Sequence, residues 1–356
     1  MGNGSLRSLG TRIQHVMKLA IHQTNDSFSQ RWMAYCRANS IEYKTVDCYA
    51  SDIVEQVSDC EALLWHHQQG SPRDILFAKQ LLFALEQSGK TVFPDFNTNW
   101  HFDDKVGQKY LLEALGIPEF APTWVFYEKA KALEWADSTT FPKVFKLRGG
   151  AGSQNVSLVK SHAECRKLIH TAFGKGFSPY DAWGSLKERY RKYRMGKVSL
   201  FEVAKGFARL FVSPPYARVM GKERGYIYFQ EFFPANDFDI RIIVIDQKAF
   251  ALKRFVRKND FRASGSGFFK YEKEEFDERC IRLSFAYTNK LKAQCVAYDF
   301  VFSQKNDPVL IEINYGFAPS GYDACPGYWD HELKWHQGAF NPYGWMVELV
   351  LKGKRN

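Results

Sequence analysis

No apolar stretch in this 356-residue chain is long enough to cross a membrane, which argues against a protein with helical membrane spans. The opening MGNGSLRSLGTRIQHV lacks the apolar core of a secretory signal. Leu6 stands where a myristoylation pattern needs Ser or Thr. These first residues read as a mobile tail, with folded structure expected from about Met17. The seven cysteines are odd in number and form no C-x-x-C pair. That disfavours a disulfide framework or a cysteine zinc site and suits reduced thiols in a cytoplasm. Internal repeats and low-complexity tracts are absent too, so neither a solenoid nor a disordered chain is expected.

What is present is an ordinary globular composition, 45% apolar and 25% charged, with room for two or three domains. The formal charge of +10 is unevenly placed. Residues 187–224 hold eleven Lys or Arg against three Asp or Glu, so one segment carries most of the excess. Such a block suits an anionic partner (a polymer, a nucleic acid or phospholipid) or is a solvated helical face beside a phosphate site.

Short apolar runs alternate with helical patterns from 18 to 96. KLAIH, YKTVDCY, EALLWHH and KTVFPD read as strands. SQRWMAYCRAN and PRDILFAKQLLFALEQSG read as helices, the second with Ile75, Ala78, Leu82 and Leu85 on one face. That alternation predicts a parallel sheet flanked by helices. A helix is expected from Asp103 to about Leu115, capped by Asp103 or Asp104 and stopped by Gly116 and Pro118. Strands near 123–127 and 142–147 flank a short helix. Strand 155–159 and helix 161–173 follow, then a helical insert over 177–224 broken by Pro214-Pro215. Beyond it the chain is strand-rich, with one helix over 272–292.

Within FPKVFKLRGGAGSQNVSLVK, Gly149, Gly150, Gly152 and Ser153 could turn backbone N–H groups toward an anion, with Lys146 adding charge. The stretch lacks both the Gly-Lys-Ser/Thr ending of a phosphate loop and the G-x-G-x-x-G dinucleotide pattern. A plain polar hairpin therefore stays open. Asp299 in CVAYDFVFS and Glu312 in PVLIEIN lie on two apolar strands joined by a turn, where they can face each other. Asn314 shares a strand face with Glu312. Two carboxylates and an amide oxygen suit Mg²⁺ carrying nucleotide phosphates, whereas two acids at strand ends in water would do nothing.

Read in order, DDKVGQKYLLEALGIPEFAPTW, FPKVFKLRGGAGSQNV, YFQEFFPANDFDIR, KRFVRKNDFRASG, YDFVF and IEINYG resemble the ATP-grasp superfamily. The closest likeness is to its ribosomal-protein-modifying glutamate ligases and related carboxylate–amine ligases. The resemblance covers about residues 100–320. It implies an α/β fold, α+β in its C-terminal part, with a Rossmann-like parallel-sheet domain before the ATP-grasp fold. The division expected is a tail over 1–16, the Rossmann-like domain over 17–100 and a small lobe with the lid over 101–176. The basic insert over 177–224 and a C-terminal lobe with hinge and metal site over 225–356 complete it.

The same resemblance implies roles. Lys105 and Lys146 reach the nucleotide phosphates, and the loop from Gly149 to Asn155 is the phosphate lid. Gln230, Glu231 and Phe233 belong to the adenine hinge, and Asp239, or Asp237, holds the ribose. Arg254 and Arg262 hold the γ-phosphate and the acyl phosphate, with Lys146 beside them in the reaction. Asp299, Glu312 and Asn314 hold Mg²⁺, a place Mn²⁺ could also take. The activity implied is an ADP-forming joining of a carboxylate to an amine in the cytoplasm, with an anionic polymer such as a surface polysaccharide as one acceptor. A kinase on the same fold is the first alternative. An ATP-regulated binding protein for nucleic acid or anionic surfaces is the second. Ala263, Ser264 and the turn NYGFAPSGYD depart from the glutamate ligases near the acceptor side, and the basic insert has no counterpart in compact ligases.

Two further stretches invite a role. His66-His67 follows a strand at the end of the parallel sheet where ligands bind. Asp330, His331 and His336 match no zinc spacing, so the aromatic stretch 328–345 is expected to pack over the site instead.

Overall fold

A computed structural model describes residues 17–25, 27–149, 155–196, 198–257 and 260–353. The expected tail and most of the lid, including Gly150, Gly152 and Ser153, lie outside the described residues.

The first layer is a parallel sheet of β1 (Leu19–His22), β2 (Tyr43–Val46), β3 (Ala62–Leu64) and β4 (Thr91–Phe93), in the order β2-β1-β3-β4. Its crossovers carry α1 (Phe28–Ala38), α2 (Ile53–Gln56) and α3 (Pro72–Gln87), and α4 (Phe96–Asn99) follows. Helix α1 starts where the Ser27 side chain accepts a hydrogen bond from Ser29 N–H, and it buries Trp32, Met33 and Cys36. Short buried strands such as LAIH need both faces covered, and helices on both sides do that.

Helix α5 (Lys105–Ala114) leads into a four-stranded antiparallel sheet. That sheet holds β5 (Thr123–Phe126), β6 (Lys143–Lys146), β7 (Val156–Val159) and β8 (Ile227–Glu231), in the order β5-β8-β6-β7. α6 (Lys129–Ser138) and α7 (His162–Ala172) pack on it through Ala132, Ala136, Ile169 and Phe229. The insert between β7 and β8 forms α8 (Ala182–Arg194), α9 (Leu200–Ala208) and α10 (Pro215–Met220).

The remaining chain builds an antiparallel sheet of β9 (Phe238–Ile245), β10 (Lys248–Phe255), β11 (Phe269–Lys270), β12 (Cys295–Phe302), β13 (Pro308–Asn314), β14 (Gly327–Asp330) and β15 (Trp335–Gln337). Its order is β13-β12-β9-β10-β14-β15, with β11 beside β10. α11 (Glu278–Leu291) covers one face and α12 (Pro342–Leu351) packs between the other face and α1.

Alternation along β9 divides the large sheet. Ile240, Ile242 and Val244 face α11, whereas Ile243 and Ile245 join Phe250, Cys295, Leu19 and Phe93 in the core shared with the parallel sheet. Asp239 and Arg241 belong to that second face by the same alternation, so its apolar floor turns charged at one end. The functional cleft opens there.

Of the two expected caps, Asp104 starts α5 by accepting from Gly107 N–H, while Asp103 precedes it at φ 53°. Two other expectations differ. α11 begins at Glu278, where Asp277 caps it, and only a 3₁₀ turn occupies 273–275. The aromatic stretch 328–345 does not pack over the site. β14 pairs with β10, and Tyr328, Phe340 and Trp345 stack on one another beside Phe250. Asp330 and His336 pair at 2.6 Å, and among the described residues no cluster of three His, Cys, Asp or Glu could hold a metal.

Gly344 shows how tightly α12 meets α1. A Cβ there would stand 2.5 Å from the Tyr35 ring, whose hydroxyl donates to Glu348 at 2.5 Å. Gly344→Val should therefore force the helices apart and lower stability by about 1–3 kcal/mol. An unchanged denaturant midpoint would show that this contact opens without cost.

Candidate active site

A cavity of about 770 Å³ lies between the small antiparallel sheet, the charged end of the large sheet and the loops after β1 and β3. Lys105, Lys146, Gln230, Glu231, Phe233, Asp239, Arg254, Arg262, Asp299, Glu312 and Asn314 all line it. Residues spread over two hundred positions are thus brought to one place. Gly149 lies outside the lining, with Asp103 and Glu223 beside it, and Asp237 is exposed outside it as well.

The floor is set by strand register. Asp299 lies directly opposite Glu312, and Ala297 opposite Asn314, so the expected pairing of the two carboxylates is present. A bulge follows, because Phe300 pairs with Leu310. The bulged segment brings the Ile311 carbonyl to Lys146 Nζ at 3.4 Å and Gln230 Nε2 at 3.3 Å. Two carboxylates and an amide oxygen on one face are hard donors of the kind Mg²⁺ takes, with phosphate oxygens and water completing the shell.

Asp299 does not stand open, however. Arg241 grips it with both arms at 2.5 and 2.6 Å, and Arg254 reaches it at 2.9 Å. Arg254 in turn grips Asp239 at 2.6 and 2.7 Å. Burial pushes the Asp299 carboxyl up, but the two guanidiniums outweigh it and hold the group well below the usual carboxylate range. The bonds to Asp299 use one lone pair of Oδ1 and both of Oδ2, so Oδ1 keeps a site for a cation. The donor set fits a divalent ion on that count.

Opposite the carboxylates stand two buried lysines. Lys105 opens α5, and its Nζ lies 3.4 Å from Glu312. Burial pulls its pKa down, yet Glu312 and Asp103 outweigh burial and raise it. Lys146, at the end of β6, donates to Gln230 Oε1 at 2.7 Å. Here burial wins over the attraction of Glu312, and the ammonium is lowered to about 8. Arg262 is gripped by Asp260 at 2.9 Å and donates to the Val156 carbonyl at the start of β7. On the other side of the expected lid segment, the Arg148 carbonyl accepts from Lys105 N–H at 2.9 Å.

Gln230 and Glu231 end β8, where Glu231 pairs with Lys143 at 2.8 Å, and Phe232 and Phe233 continue the wall. Of the two histidines, His66 lines the cavity and His67 does not. His66 stacks on Phe28 at 3.6 Å and accepts from Phe28 N–H. Burial and then His67 lower it to about 3, so it is neutral. Sequence reading missed Arg241 as a site residue, although it sits two positions after Asp239 and so shares its face. Gln30, Gln68 and Gln69 also line the cavity and no motif marked them, whereas Ser320 lies in the turn NYGFAPSGYD noted in the sequence.

Comparison with known proteins agrees with this architecture. The family model described as a RimK-like ATP-grasp domain matches residues 217–322. No curated protein was found to match. Among solved structures, a RimK-domain ATP-grasp protein from Sphaerobacter thermophilus is similar at 15% identity and a TM-score of 0.55, covering 94% of this chain and 99% of its own. D-cycloserine synthetase is similar at 14% identity and a TM-score of 0.56, with coverage of 94% and 99%. Biotin carboxylase from Campylobacter jejuni, in complex with an ATP analogue, is similar at 11% identity and a TM-score of 0.60, covering 95% of this chain and 71% of its own. The chain is thus similar in fold to ATP-grasp proteins over nearly its whole length, and residues 217–322, which carry Gln230, Asp239, Arg254, Arg262, Asp299, Glu312 and Asn314 of the cleft, match the RimK-like ATP-grasp domain model.

Proposed function

We propose that this protein is an ADP-forming ligase that activates a carboxylate as an acylphosphate at the expense of MgATP and joins it to an amine. The observation that carries this reading is the gathering of Lys105, Lys146, Arg254 and Arg262 with the Asp299–Glu312 pair around one cavity. Such a site binds a polyphosphate with its divalent ion and offers no side chain placed as a covalent nucleophile. All seven cysteines are free and buried. The cytoplasm is the proposed compartment.

In this reading the substrate carboxylate attacks the γ-phosphorus in line, the bond to the β–γ bridging oxygen breaks, and ADP leaves. The amine nitrogen then attacks the acyl carbon, inorganic phosphate departs, and the nitrogen's proton is lost to water or base. Mg²⁺ bound by Asp299, Glu312 and Asn314 would neutralise phosphate oxygens. Lys105 and Lys146 supply fixed positive charge on the phosphates, and burial makes each charge felt more strongly than it would be in water. Arg254, held rigid by Asp239 and Asp299, and Arg262 at the foot of the lid are placed for the transferred group. Gln230 to Phe233 offer the hinge for the base. A ribose contact from Asp239 requires Arg254 to release one of its oxygens. The division into tail, Rossmann-like domain, small lobe, insert and C-terminal lobe is part of the same proposal. An anionic polymer acceptor along 187–224 would satisfy the charge of that insert, but not the apolar side chains exposed among those charges.

Three outcomes test the reading. ADP release from ATP and Mg²⁺ should require both a carboxylate and an amine, and release that needs no amine would make the protein a kinase instead. Glu312→Gln should keep the fold and abolish turnover, and wild-type phosphate release at saturating Mg²⁺ would remove Glu312 from the metal set.

Lys146→Ala should weaken ATP binding by roughly 2 kcal/mol, the size of a lost charge-assisted contact. Its folded pKa of about 8 lies below the ordinary 10.5. The free site therefore loses this charge as pH rises through 8, and bound phosphate restores it. Calorimetry in buffers of different ionisation enthalpy near that pH should show proton uptake on ATP binding, and Lys146→Arg should abolish it. Uptake unchanged in Lys146→Arg would assign the proton to another group.

A further inference from the structure

The insert is built unlike the rest of the molecule. No residue of α8 is buried, and Gly206 is the only buried residue of α9. The two helices pack against each other where Gly206 admits the Arg189 side chain and Glu202 pairs with Arg189. Glu202 and Gly206 are four apart, so they mark one face of α9. The opposite stripe is apolar and uncovered. Leu200 is 62% exposed, Phe201 74% and Phe211, just past the helix end, 78%, with Phe207 and Val212 exposed beside them.

The same insert is rich in cations. All three acids of 187–224 are engaged: Glu188 with Arg191 and Arg257, Glu202 with Arg189, and Glu223 with Tyr226 and the Arg148 N–H. Lys187, Arg194, Arg218, Lys222 and Arg224 are exposed.

We propose that this face docks on the surface of an anionic phospholipid bilayer. The Leu200–Phe201–Phe211 stripe would enter the boundary between headgroups and acyl chains, and the cations would lie on lipid phosphates. Charge complementarity selects an anion, and the stripe selects an apolar medium next to it. A nucleic acid or polysaccharide satisfies the first and leaves leucine and valine in water. A second copy would bring one strongly basic face against another. The insert also touches the mouth of the cleft, through Arg257 to Glu188 at 3.4 Å and Asn155 to the Pro179 carbonyl at 2.9 Å. Docking would therefore bear on segments that flank the cavity, and if the ligase reading holds, an acceptor at the bilayer surface is the one this insert would serve.

The test is co-sedimentation of the full chain with vesicles of phosphatidylcholine alone or mixed with phosphatidylglycerol, with ATP binding measured in parallel. Binding should require phosphatidylglycerol and fall at about 1 M salt, where the screening length is roughly 3 Å. The double variant Phe201→Ser, Phe211→Ser removes only exposed side chains. It should lower the partition coefficient at least about tenfold while ATP affinity stays unchanged. Failure of the wild-type chain to bind the anionic vesicles, or equal binding by the double variant, overturns the proposal. So does self-association in sedimentation velocity that the double variant abolishes, because the stripe would then be a contact between copies. None of these outcomes touches the ligase reading, which stands or falls on amine-dependent ADP release.

Discussion

The cleft depends on a chain of alternating charges laid across three neighbouring strands. Asp239 and Arg254 are directly opposed on β9 and β10, and Arg241 and Asp299 are directly opposed on β9 and β12. The Arg254–Asp299 contact of 2.9 Å joins the two pairs. Taking four charged groups out of water is costly, and the pairing offsets that cost only if all four are present. Loss of any one leaves a net buried charge among the other three. The arrangement also fixes register. A slip of one residue on β9 would turn Asp239 and Arg241 into the apolar core under α11, so the charges that form the site also exclude the wrong sheet.

This constraint divides the labour in the cavity. The sheet chain is internally neutral, two carboxylates against two guanidiniums, and its geometry is rigid. Glu312 stands outside it, facing Lys105 and near Lys146, so the ammoniums outnumber the carboxylates at the point where phosphates would lie. The two lysines answer burial differently. Lys105 has Glu312 and Asp103 close enough to raise its pKa, whereas Lys146 is surrounded by an amide and a carbonyl and is lowered. One is a permanent charge and the other a charge that an anion strengthens.

Much of this was legible in the sequence because it is local. Asp104 before a helical pattern announces the start of α5, and therefore places Lys105 at its mouth. Strand alternation puts Glu312 and Asn314 on one face, and a short turn brings Asp299 opposite. What was hidden depends on register between strands far apart in the chain. Arg241 and Asp299 are 58 residues apart, and nothing in either segment says which residue will lie opposite which. The same holds for Asp239, whose oxygens go to Arg254. The aromatic stretch 328–345 was misplaced for a related reason. Its aromatic character is plain in the sequence, but only the edge of β10 decides that its first part extends the sheet and that its rings join the core beside α1.

The insert raises a different physical question, because it has almost no core of its own. Ordering about forty residues costs conformational entropy that burial normally offsets, and here little apolar surface is buried. Its order comes from the α8–α9 contact, from the packing of α10 on α3 and from contacts at its ends. Glu223 and Tyr226 hold the Arg148 N–H on one side of the expected lid segment, and Pro179 holds Asn155 on the other. A surface that covers the α9 stripe would supply the missing burial, so the proposed docking would act on the same insert that holds Arg148 and Asn155.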